Sequence, residues 1–186
     1  LIRRYGADTV RLYTLFIGPP EKDAEWNDRG VEGAFRFLQR YWKLLEDVIQ
    51  KRRSKGVSTA SGGAEWASSG PRRDLRHRVH ELTGHMVADM DRLHLNTAVS
   101  GMMQLVNALD AFRDTGGDLT APEVEEAMDI GTRLLAPLAP HTAEGAWEVL
   151  GHSGSIFTAG WPSASQEALE RDLMPLVNQF NGPLRS

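Results

Sequence analysis

Between residues 28 and 52, Val31, Ala34, Phe35, Leu38, Tyr41, Trp42, Leu45, Val48 and Ile49 recur at helical spacing. Steps of three and four residues put them on one face, so the segment reads as an amphipathic helix. At 1.5 Å per residue it is long enough to cross a whole domain. Asn27 or Asp28 can cap it. Trp26, just ahead of the cap, fits a hydrophobic staple that folds back onto the new helix, on Val31.

The flanking segments read the same way. Residues 6–17 form a short helix whose apolar residues are too dense for one narrow face, and Gly18-Pro19-Pro20 ends it. A helix over 72–92 carries Leu75, Val79, Leu82, Met86, Met90 and Leu93 inward. One over 96–114 is capped by Asn96. Thr120 and Glu123 make a capping-box pattern that opens a helix over 121–136, and a shorter helix over 141–150 stops at Gly151. Residues 54–71 are rich in Ser, Gly and Ala and read as a flexible loop with Trp66 as its one apolar anchor. Near the end, Asn181-Gly182 between two short apolar runs suggests a hairpin. The fold class expected is all-α: an antiparallel helical bundle with a short C-terminal β segment. Residues 1–27 form a linker helix and connector, 28–162 the bundle, and 163–186 the truncated start of another domain.

Composition narrows the chemistry. The 186 residues hold no cysteine, which removes disulfides, thiolate zinc sites and thiol catalysis and agrees with a reducing cytoplasm. No run of 18 apolar residues offers a membrane span, and no secretion leader is visible. The chain opens on Leu1 and reads as cut from something longer. His77, His80, His85, His94, His141 and His152 lack the spacing of a metal motif and read as surface histidines. No Ser-His-Asp set, phosphate loop or dinucleotide fingerprint is present, so no catalytic constellation emerges.

The net charge of −4 gives no global sign of nucleic-acid binding, but the charge is uneven. Lys51, Arg52, Arg53 and Lys55 close one helix, where cations complement the helix dipole. Arg72, Arg73, Arg76, His77 and Arg78 open the next, where they oppose it. Residues 114–129 hold six acids and no base. If the two helices form a hairpin, both basic clusters lie at one end of the bundle. That end reads either as a solvated surface or as a phosphate-attracting patch.

The stretch "RRYGADTVRLYTLFIGPPEKDAEWNDRGVEGAFRFLQRYWKL" resembles leucyl-tRNA synthetases just after their KMSKS catalytic loop. So do "LHLNTAVSGMMQLVNAL", "LLAPLAPHTAEGAWEVLG", "GSIFTAGWP" and "LVNQFNGPLRS", in family order and over nearly the whole chain. Two positions depart from the pattern: Pro183 stands where lysine is usual, and Gly145 where a bulkier residue is common.

The resemblance implies the helical anticodon-binding-type domain of a leucine–tRNA ligase, which braces the body of tRNA(Leu) and generally does not read the anticodon. It implies no catalytic residue, metal or cofactor in this stretch; ATP and Mg bind elsewhere in the longer enzyme, and the fragment alone is inactive. Arg36, Arg40, Lys43, Arg72, Arg73 and Arg76 are the expected tRNA contacts. Lys22, Asp23, Glu25 and Trp26 are the expected joint with the catalytic domain. The expected partners are tRNA(Leu) and the enzyme's own catalytic and C-terminal domains, in a monomeric cytoplasmic protein off the membrane. The alternatives are a helical scaffold inert toward RNA, or the equivalent domain of a valyl or isoleucyl enzyme.

Overall fold

In a computed structural model, residues 1–18, 23, 25–56 and 65–170 are described. The order is α1 (Ile2–Tyr5), α2 (Ala7–Phe16), α3 (Asp28–Ser54), α4 (Gly70–Asp91), α5 (Leu95–Asp114), α6 (Pro122–Leu135), α7 (Pro140–Val149), a 3₁₀ turn (Ile156–Thr158) and α8 (Gln166–Leu169). No strand occurs among the described residues, and the expected Asn181-Gly182 hairpin lies outside them. No helix among them is long and apolar enough to cross a membrane.

Cross-helix partners give the topology. Tyr41 meets Thr132 and Arg52 meets Glu125, so α3 and α6 run antiparallel. Arg40 meets Asp110 and Arg113 meets Asp47, so α3 and α5 run parallel. The short turn between α4 and α5 reverses direction, completing an up-down-up-down bundle. Its core is held by fully buried side chains such as Leu44, Leu45, Met102, Leu105, Met128 and Leu134. Gly101 lets α4 approach α5, because a methyl group there would stand 2.5 Å from Met86 Cγ. One polar chain crosses this core: the Tyr41 hydroxyl donates to Thr132 Oγ1 at 2.6 Å, and Thr132 in turn donates to the Met128 carbonyl. Burial pushes the Tyr41 hydroxyl pKa well up.

Three helix ends and one buried face differ from the expectations. Leu93 is exposed: α4 stops at Asp91, and Leu93 takes the left-handed conformation (φ 58°) in the turn that starts α5. Asn96 lies inside α5 and caps nothing; His94 is the N-cap, and Thr97 Oγ1 donates to its carbonyl. The Thr120–Glu123 capping box does not form. Ala121 is the N-cap of α6, Thr120 pairs with Asp118, and Glu123 points back to Arg72. On α3 the buried face includes Phe37 and Leu44, while Phe35 and Trp42 are only half-buried. Asn27 caps α3 by accepting from the Arg29 amide at 2.9 Å.

Candidate nucleic-acid interface

Four basic residues at the α3–α4 end, Arg52, Lys55, Arg72 and Arg76, are tied to acids of segment 114–129, so for them the charge separation expected from the sequence is corrected to an interlock. Arg52, buried, pairs with Glu125 at 2.8 Å, and Lys55 with Asp118 at 3.0 Å. Arg72 forks onto Glu123, whose side chain is fully buried and also accepts from the Ala67 amide. Burial raises the Glu123 pKa, yet these hydrogen bonds outweigh it and leave the carboxyl below its usual range. Arg76 is buried against Trp66, its guanidinium carbon 3.9 Å from the ring centre, and pairs with Glu126 and Glu167. Trp66 therefore anchors its loop as a stacking plate for Arg76.

Arg73 donates to the carbonyls of Ala168 and Glu170, and His77 Nδ1 lies 3.1 Å from the Ala168 carbonyl. His80 is buried rather than on the surface. Its Nδ1 accepts from the Ser165 amide at 3.2 Å, and its Nε2 lies 3.1 Å from Glu126. These side chains strap residues 165–170 onto α4. Of the expected tRNA contacts, Arg72, Arg73 and Arg76 thus hold the fold together, with donors occupied by carboxylates and carbonyls of the protein itself.

The other three lie elsewhere. Arg36, Arg40 and Lys43 fall on the exposed side of α3, one helical turn or less apart. Arg40 bridges to Asn107 and Asp110 on α5 at 2.8 and 2.6 Å, and Lys43 pairs with Asp47 at 2.9 Å. Arg36 forms no ion pair among the described residues. Arg29, two turns upstream on the same side, forms none either and was not anticipated; its position seven residues before Arg36 is the signal that could have found it.

The connector carries the joint residues. Lys22 lies outside the described residues; Asp23 and Glu25 are exposed. Trp26 does not fold onto Val31. It stands edge-on to Tyr13 of α2, ring centres 4.9 Å apart, and its Nε1 donates to Asp28 at 2.9 Å. The Asn27 amide donates to the Tyr13 hydroxyl, and Gly30 leaves the space that the Tyr13 ring occupies. The staple therefore reaches across to α2.

Asp8, from the Tyr5-Gly6-Ala7-Asp8 motif, sits at the N-terminus of α7. It accepts from the Thr142 amide at 2.6 Å, the Thr142 hydroxyl at 2.8 Å and lies 2.9 Å from His141 Nδ1. Burial raises its pKa, but the bonds from His141 and Thr142 lower it further than burial lifts it. Beside this clasp a cleft of about 590 Å³ is lined by Phe35, Leu38, Trp42, Lys43 and His141.

This helical arrangement has known counterparts. The model of a family described as the anticodon-binding domain of tRNA ligase matches residues 72–186. The chain belongs to that family. This anticodon-binding-type domain is 43% identical to the leucine–tRNA ligase of Geobacter sp. (strain M21) over its whole length and 42% identical to that of Syntrophobacter fumaroxidans. It spans 22% of each of those relatives. Its fold matches a chain in the crystal structure of the ternary complex of Agrobacterium radiobacter K84 agnB2 LeuRS, tRNA and LeuAMS, with a TM-score of 0.78 and 24% identity. That match covers 91% of this domain and 21% of that chain. The anticodon-binding-type domain thus occupies a small, contiguous share of a much longer enzyme in its relatives.

Proposed function

We propose that this domain is the tRNA-binding helical bundle of a leucine–tRNA ligase and holds tRNA(Leu) so that its acceptor end reaches a catalytic domain elsewhere in the longer polypeptide. The observation that carries the reading is identity of 40% or more to leucine–tRNA ligases along the entire chain, bundle and connector alike. The structural relative solved with tRNA agrees with it. Within the bundle, the exposed side of α3 is the surface best suited to phosphate: Arg36 is uncommitted among the described residues, and Arg40 and Lys43 are more than half exposed. ATP and Mg belong to the catalytic domain, and the protein works as a cytoplasmic monomer.

A salt titration tests this. Binding of tRNA(Leu) to the 186-residue chain is expected to weaken steeply between about 50 and 200 mM salt, with a log–log slope of roughly −0.9 per phosphate contacted. Replacing Arg36, Arg40 and Lys43 together by Gln is expected to flatten that slope by about three. Absence of binding at low salt would refute the proposal in favour of a scaffold inert toward RNA.

A further inference from the structure

Two kinds of contact hold residues 165–170 on α4. Arg73 meets the carbonyls of Ala168 and Glu170, and His77 meets that of Ala168. A carbonyl takes only a donor, so His77 presents an N–H to it, and a second proton on the ring leaves that bond in place. His80 works the other way round. Its Nδ1 accepts from the Ser165 amide at 3.2 Å, so that nitrogen carries no hydrogen and the ring is neutral, with its hydrogen on Nε2.

The surroundings fix where a further proton has to enter. Nε2 faces the Glu126 carboxylate of α6 at 3.1 Å, and the other oxygen of Glu126 is held by Arg76, one turn earlier on α4. Burial raises the Glu126 pKa, but its contacts with His80 and Arg76 lower it further, so the carboxylate stays ionised. Arg76 also reaches Glu167 of α8. The remaining acids of α6 near by, Glu123, Glu125 and Asp129, pair with Arg72, Arg52 and Arg133. On α5 no ionisable residue occurs between Leu95 and Leu109, and Asp110 and Arg113 beyond them pair with each other and with α3. Glu126 therefore favours an imidazolium ring, but it faces the nitrogen that already has a hydrogen. The added proton goes to Nδ1, which is buried under the Ser165 amide. Proton and amide exclude each other there.

We infer that His80 is an acid-sensitive catch, which holds the Ser165 end of the strap on α4 only while its Nδ1 is free of a proton. Arg73 and His77 keep their hold on residues 168 and 170, so the strap opens from one end. The open form takes up one proton that the closed form cannot. Below the ordinary imidazole range, about pH 6.5, the balance therefore shifts toward the open form by up to about tenfold per pH unit, and above it the balance is level. The strap is the last described stretch of the chain, so its release loosens the C-terminal end of the described bundle.

Hydrogen exchange of the Ser165 amide, followed by NMR in the 186-residue chain and expressed as protection relative to the intrinsic rate at each pH, tests this. Protection is expected to be level above about pH 7.5 and to fall by about tenfold between roughly pH 6 and 5. The Thr142 amide, which Asp8 caps, is expected to stay protected throughout, marking the event as local. In His80→Asn an amide oxygen can stand near the place of Nδ1 and accept at any pH, so the dependence is expected to vanish. In His77→Gln it is expected to remain. The nitrogen chemical shifts of the His80 ring give a readout that needs no variant: hydrogen on Nε2 alone at neutral pH, and on both nitrogens in acid. Unchanged Ser165 protection in acid, a parallel loss at Thr142, or a pH dependence that survives in a folded His80→Asn protein overturns the inference. Hydrogen on Nδ1 at neutral pH overturns it whatever the variants do.

Discussion

Asp8 caps a helix that begins more than 130 residues further along the chain. The Tyr-Gly-Ala-Asp motif is conspicuous in the sequence, but its role is not, because a carboxylate that caps in trans leaves no local spacing to find. Asp8→Ala is expected to lower stability by about 1–3 kcal/mol, since the α7 amides lose their acceptor. Chemical denaturation measures this directly. Glu123→Ala is expected to be similarly harmful, about 1–3 kcal/mol, because it takes the acceptor from the Ala67 amide and from the bidentate Arg72 contact, leaving Arg72 with the Glu65 carbonyl. The carboxyls share a further property. Asp8, Glu123 and Glu126 are held below their usual range, and Asp118 reaches about 2, chiefly through the Thr120 amide, with the Thr120 hydroxyl and Lys55 adding to it. Each binds its proton less readily folded than unfolded. The stability they give is complete above the unfolded carboxyl range, about pH 4–4.5, and is lost as pH falls through the folded values. Melting temperature is expected to be level above about pH 5 and to fall toward pH 2, with Asp118→Asn flattening the lowest part of the curve.

At the scale of elements, apolar periodicity located the main helices to within about two residues, since burial of one face is what makes each of them helical. It failed at their ends, where a single hydrogen bond decides. Asn96 and Thr120 have the right chemistry for caps, but the chain reverses at Leu93 and Asp118 takes Thr120. Trp26 fits a staple by position, yet its partner is Tyr13 on the preceding helix. Trp26→Ala is therefore expected to loosen the α2–α3 corner by about 1 kcal/mol, roughly the worth of an aromatic pair beyond its buried area. Differential scanning calorimetry detects a loss of that size. Gly145 is a local weakness of another kind: a methyl group there would rest against Trp42 at 3.4 Å, an ordinary contact. Gly145→Ala is expected to stabilise α7 by up to about 1 kcal/mol, read as a raised melting temperature.

For the whole molecule, the bundle was legible and the distribution of its charge was not. A count along the chain separates bases near Arg72 from acids near Glu123; the fold brings them face to face, because α4 and α6 run side by side in the same direction. Sequence spacing could group Arg36, Arg40 and Lys43, which share one helix, but could not see that Arg72, Arg73 and Arg76 are consumed by partners from other helices. The Asp8 clasp has a mechanical consequence. Arg11 donates to the Pro137 carbonyl from the same helix that carries Asp8, so α2 is bolted to the α6–α7 corner at two points. A load applied at Leu1 runs across these bolts into α7 before it reaches the connector. Tension on the start of the chain is therefore shared between the connector and a corner that lies more than 120 residues further along it.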